Sequence, residues 1–110
     1  MIDDTIGKIE ARIRSAESIN AERKSELIAL LGRLKSEVSD LSRTHGEHAE
    51  SITGFTEASA REATRAAQNP ELLDLSLKGL KGSVEGFEQS HPRLVQVVNS
   101  ISNLLSNVGI

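Results

Sequence analysis

"LSRTHGEHAESITGF", Leu41 to Phe55, is the stretch on which the fold turns. Leu41, His45, His48, Ile52 and Phe55 continue a four-three alternation that begins upstream at Leu27, Leu31, Leu34 and Val38. Such alternation lays one continuous stripe along an α-helix. No proline interrupts the chain between Ala21 and Asn69. Gly46 and Gly54 each weaken a helix by about 1 kcal/mol relative to alanine; such small residues read as points of close helix packing, with a local break near Gly46 as the alternative. The pattern predicts one long helix over residues 21–67, roughly 70 Å from end to end.

Upstream, Ile2, Ile6, Ile9 and Ile13 form the seam of a helix over 3–17. "SIN" then turns the chain, and Asn20 has the chemistry of an N-cap. Downstream, "QNPEL" reads as a helix start, with Asn69 capping, Pro70 at the first helical position and Glu71 near the positive dipole end. A helix over 71–89 follows, with Leu73, Leu77, Leu80, Val84 and Phe87 on its stripe. A fourth, over 92–108, carries Leu94, Val98, Ile101, Leu105 and Val108, widened by Val97 and Leu104. Phe87, His91 and Leu94 hold the phase across Pro92, so the break there predicts two short helices meeting at an angle, with Ser90 capping the second. No sequence repeat and no low-complexity linker is evident.

Short connections favour antiparallel neighbours. A hairpin about Asn69-Pro70 sets Val84 level with Phe55, Phe87 with Ile52, His91 with His48, Leu94 with His45 and Val98 with Leu41. The first helix folds back about Asn20 and sets Ile13 beside Leu27 and Ile6 beside Leu34. The expected architecture is all-α. It is one helical domain over 1–110, an elongated antiparallel hairpin and three-helix bundle with one long central helix and coiled-coil-like packing. The second half of the long helix, with its alanine-rich "EASAREATRAAQ", has only the 71–89 helix beside it and reads as under-packed.

Apolar residues make up 37% of the 110, and Phe55 and Phe87 are the only aromatics. That suits elongated helices sharing a core, because aromatics supply the largest single burials. A net charge of −3, with 13 basic residues spread along the chain, argues against nucleic acid, as does the lack of an aromatic platform for bases. Cysteine is absent, which removes disulfides and thiolate chemistry together. The acidic start "MIDDTIGKIE" predicts neither a signal nor a transit peptide. No run approaches the ~20 apolar residues of a membrane span, so a cytoplasmic protein without membrane or nucleic-acid partners is expected.

The expected hairpin gathers all three histidines. His45, His48 and His91, with Glu88 and with Glu47 and Glu50 nearby, are candidate ligands for zinc or a similar cation. "EQSH" matches the Glu-x-x-His spacing of di-metal bundles, which need two such motifs. The competing reading is a polar layer that fixes register, or one that responds to pH near 6.5. Gly79, Gly82 and Gly86 share one helix face and predict a flat surface for a second helix; a frayed helix is the alternative. From Leu94 to Ile110 no residue is charged, in a chain where 26% are. Depletion of charge marks interface cores, so Val97, Asn99 and Asn103 join the three glycines as interface candidates. No nucleophile elbow, phosphate loop or His-Glu-x-x-His is present, so neither an enzyme nor a resident cofactor is predicted.

Phe87-Glu88, Ser90-His91-Pro92 and Leu94, followed by a short helix and Gly109-Ile110, resemble domain of unknown function 4404, a set of short bacterial helical proteins. "ELIALLGRLKSEV", Glu26 to Val38, fits the same pattern. The resemblance covers roughly 1–43 and 71–110, and 44–69 is longer than in the shorter members. It implies a helical fold and a bacterial source, with no activity or ligand to transfer. The leading expectation is a non-enzymatic module that self-associates, most simply as a homodimer, or binds another helical protein. The runner-up is a metal- or ligand-binding bundle centred on His45, His48 and His91.

Overall fold

The long helix breaks after Leu41. In the computed structural model, which describes residues 2–108, α2 (Ala21–Leu41) ends and α3 (Gly46–Ala63) begins beyond a reversal at 42–45. Short polar side chains cause the break by taking up groups that a continuing helix would use. Ser42 Oγ donates to the Ser39 carbonyl at 2.7 Å, and Thr44 Oγ1 shares a 2.7 Å hydrogen bond with His45 Nδ1. The amides of Arg43 and Thr44 reach back only three residues, to the carbonyls of Asp40 and Leu41, tightening the last turn.

The remaining helices are α1 (Ile2–Ser15), α4 (Pro70–Ser83) and α5 (Pro92–Ser106). Asp3 and Asp4 open α1, and Arg12 and Arg14 close it, as the helix dipole favours. Asn20 Oδ1 accepts from the Arg23 amide at 2.8 Å and caps α2. Asn69 Oδ1 accepts from the amides of Glu71 and Leu72 at 3.0 and 3.2 Å, with Pro70 starting α4. Ser90 does not cap α5. His91 holds that place, and the Ser90 hydroxyl bonds to His91 Nδ1 instead, at 3.0 Å.

Each helix runs antiparallel to the one before it. Arg23 donates to the Asn107 carbonyl at 3.0 Å, and Gln68 to the Val108 carbonyl at 3.1 Å. The end of α5 thus returns to the starts of both α2 and α4. α1 lies against α2 and α3 together, parallel to α3, with Ile2 near Glu50 and Ala16 near Thr64. The molecule measures 38 × 24 × 21 Å with a Cα radius of gyration of 12.9 Å, against about 13 Å for a compact domain of this length. It is a compact five-helix bundle. The elongated hairpin with a single long helix is overturned, because no 70 Å element fits in 38 Å.

Coiled-coil packing is overturned with it. Leu27, Leu31, Leu34, Val38 and Leu41 are all buried, but α2 divides its surface among α1, α3 and α5 rather than zipping onto one partner. A seven-residue stripe fixes which face is buried and leaves the number of neighbours open. The register across α2 and α5 also differs from that of a straight hairpin. Glu37 and Leu30 share a groove with Arg93 and Ser100, which offsets the pairing by two to three helical turns.

α3 is the surprise. All four other helices contact it, and its buried residues are Ala49, Ile52, Thr53, Thr56, Ser59, Ala60, Glu62 and Ala63. Only Ile52 and Glu62 are large, so helices approach α3 closely from several sides. The Thr53 and Thr56 hydroxyls donate to the carbonyls of Ala49 and Ile52, each at 2.8 Å. Ser59 and Ser102 are buried with hydroxyls that lack partners, so their contribution is small size. The segment that looked under-packed is the centre of the molecule.

A hidden duplication also emerges. His45 (φ −134°, ψ 58°) and His91 (φ −138°, ψ 63°) start α3 and α5 in one backbone conformation. Both amides donate to the carbonyl four residues back, Leu41 and Phe87, at 2.8 Å. Both rings bond through Nδ1 to the preceding hydroxyl. Leu27, Leu31, Leu34 and Val38 recur at the same spacing as Leu73, Leu77, Leu80 and Val84, all buried. α2–α3 and α4–α5 therefore share a stripe spacing of 46 residues and a histidine-started second helix, although α2 runs to Leu41 while α4 stops at Ser83 and turns through Gly86.

Candidate functional site

The histidines do meet, but by way of the two reversals rather than along one seam. The ring of Phe87, 8% exposed, lies 5.6 Å from His45, 5.4 Å from His48 and 5.6 Å from His91, edge-on to each. His45 lies 6.0 Å from His48 and 6.4 Å from His91. Glu88 turns away from this cluster: its carboxylate accepts from the Gly86 amide at 2.8 and 3.1 Å. Among the described residues no group of three or more histidine, aspartate or glutamate side chains is set to hold a metal ion. Phe87 occupies the position between the rings, and the Glu88 carboxylate closes the turn instead of joining them.

The glycine face separates into three environments. Gly79 lies beneath the ring of Phe55, which a Cβ there would strike. Gly82 faces open space. Gly86 lies beyond α4 at φ 95°, a left-handed conformation that side chains disfavour, and its task is the chain reversal. Phe55, 41% exposed, and Leu72 and Leu75 of α4, 40% and 66% exposed, are the large apolar groups left in solvent among the described residues.

On α5 the apolar stripe is consumed within the chain: Leu94, Val97, Val98, Ile101 and Leu105 are buried against α2, α3 and α4. What stays exposed is Gln96, Asn99, Ser100, Asn103, Ser106 and Asn107, with Arg93 the one charge at the start of the helix. Between this face and α2 runs an open groove of two linked sections. One, about 510 Å³, is lined by Leu30, Arg33, Glu37, Arg93, Val97 and Ser100. The other, about 440 Å³, is lined by Glu26, Ala29, Leu30, Arg33, Asn103 and Leu104. Val97 and Asn103 therefore line the groove; Asn99 lies on the exposed face outside both linings. Glu26, Leu30 and Arg33 were missed because they sit off the buried stripe of α2; their signal was an apolar residue flanked by opposite charges at helical spacing.

The bundle and its open groove define a small all-helical protein. The chain belongs to the family described as domain of unknown function (DUF4404), whose model matches residues 27–110. The match spans α3, the centre of the bundle, and leaves α1 and the start of α2 outside it. No curated protein and no solved structure matches the chain. Among the described residues no helix is long and apolar enough to cross a membrane.

Proposed function

We propose that this chain is a non-enzymatic, cytoplasmic interaction module that docks a further helical surface on the exposed face of α5, and that it self-associates through that face. One observation carries the reading. In the first helix–reversal–helix unit, α1 packs along the α3 face bearing Glu50, Thr53 and Glu57, near Ile2 and Thr5, and there Thr53 is buried and Glu57 half-buried while Glu50 stays exposed. At the duplication spacing, the corresponding residues of α5 are Gln96, Asn99 and Asn103, and all three are exposed. The second unit thus has a vacant counterpart to the position α1 fills. Its uncharged residues avoid the desolvation cost that makes charged groups rare in interface cores.

On this reading the bundle folds without a partner. Its accessible surface of 6393 Å² is close to the roughly 5,900 Å² of a compact monomer of this mass. Self-association is then an activity of a finished fold. Light scattering of the wild type at micromolar concentration tests it, together with Asn103→Glu and Gln96→Glu. The expected result is a dimer that either charge weakens. A wild-type monomer ends the reading.

A further inference from the structure

Resting on that reading, we propose that the occupant of the α2–α5 groove is a second copy of this chain, related by a two-fold axis passing beside Ala29 and Leu30. The centre of the groove is formed by Ala29, Leu30, Ser100, Asn103 and Leu104, all uncharged, with Leu30 and Leu104 half-buried and packed against the core. On α2, Glu26 bounds this section at one end and Arg33 at the other, beyond which the second section continues to Glu37 and Arg93. The four-three spacing of Glu26, Leu30 and Arg33 places them on one helix face.

That order of charge selects the partner. A two-fold axis between Ala29 and Leu30 runs the two α2 helices antiparallel and brings the apolar centres together. It sets each Glu26 beside the other copy's Arg33, next to the apolar centre, and the like-charged Glu22 and Glu37 level with each other a turn further out at the rim; in such a contact every pair occurs twice. A parallel pairing in the same register would set Glu26 against Glu26 and Arg33 against Arg33. Uncharged centre and charged rim is the anatomy of a stable interface. Two helices side by side offer a face of about 30 by 20 Å, on the order of the roughly 800 Å² per partner that a standard interface takes. The exposed strip of Phe55, Leu72 and Leu75 has no such selectivity, because its neighbours Asp74 and Lys78 already pair with each other at 3.0 Å.

The test is charge exchange in the full-length protein, read by solution mass. Glu26→Arg and Arg33→Glu, both at exposed positions, are each expected to weaken the dimer about tenfold or more, with helical content unchanged. Mixing the two variants in equal amounts should restore it, since both contacts between positions 26 and 33 in the mixed pair then join opposite charges. Combining both changes in one chain should also restore it. Leu75→Glu, on α4 and outside the groove lining, should leave the dimer intact. A wild-type dimer that tolerates both single changes, or a mixture that stays monomeric, overturns this axis while leaving self-association standing. A dimer lost in Leu75→Glu moves the contact to the α3–α4 strip and overturns it equally. A wild-type monomer overturns both readings.

Discussion

A Cβ added at Gly82 meets no atom within 4 Å, one added at Gly79 runs into the ring of Phe55, and Gly86 sits at φ 95°. Three glycines that share a helical spacing therefore respond differently to alanine. Gly82→Ala should stabilise the protein by about 1 kcal/mol, the ordinary helix propensity gain. Gly86→Ala should destabilise it by about 1–2 kcal/mol, the cost of a side chain in left-handed backbone. Gly79→Ala gains propensity but displaces Phe55, so it should become more favourable in a Phe55→Ala background. Urea unfolding of the single and double variants measures all three. Equal shifts at Gly82 and Gly86 would contradict the reversal geometry. The spacing was legible in the sequence; the environments were not, since each depends on a ring or a dihedral angle set by another part of the chain.

The starts of α2 and α4 were the most legible elements. Asn20 and Asn69 act through amides two or three residues away, so their roles are written locally. The reversal at 42–45 was misread because its cause is a cluster of weak competitors, Ser42, Thr44 and Gly46, none decisive like a proline, while the apolar phase continues through it. α3 was misread for a related reason. Its burial rests on small residues, and alanine and threonine give almost no hydrophobic stripe. The central position of α3 carries a prediction. Ala60, 1% exposed, has no room for growth, so Ala60→Leu should cost about 1–3 kcal/mol by overpacking. Ala58→Leu, at a half-exposed position of the same helix, should be near neutral. Denaturant midpoints compare the two, and equal tolerance would mean that α3 is not enclosed.

At the scale of the molecule the discriminating quantity is length. Small-angle scattering of the protein, under conditions where the light-scattering mass is that of one chain, should give a radius of gyration near 13 Å, consistent with the 12.9 Å of the Cα trace. A 70 Å hairpin would give about 20 Å. The histidine cluster belongs at this scale too. His45, His48 and His91 assemble around Phe87 because both reversals fall at one end of the bundle. A straight register had brought the same residues together for a different reason, so proximity alone did not distinguish the two folds.

By itself the sequence determined that this protein is all-α, where two of its helices are capped, and which leucine, isoleucine and valine positions form the buried stripes. Those properties follow from spacing and from hydrogen bonds within a turn or two, so local chemistry specifies them. Only the tertiary structure decided that the stripes divide among five helices, that the small-residue segment lies at the centre, and that the α5 face equivalent to the one α1 packs along on α3 is left open. The physical reason is that a helical stripe specifies a buried face without a partner. Close packing chooses the partner, and it depends on the fit of small side chains from distant parts of the chain.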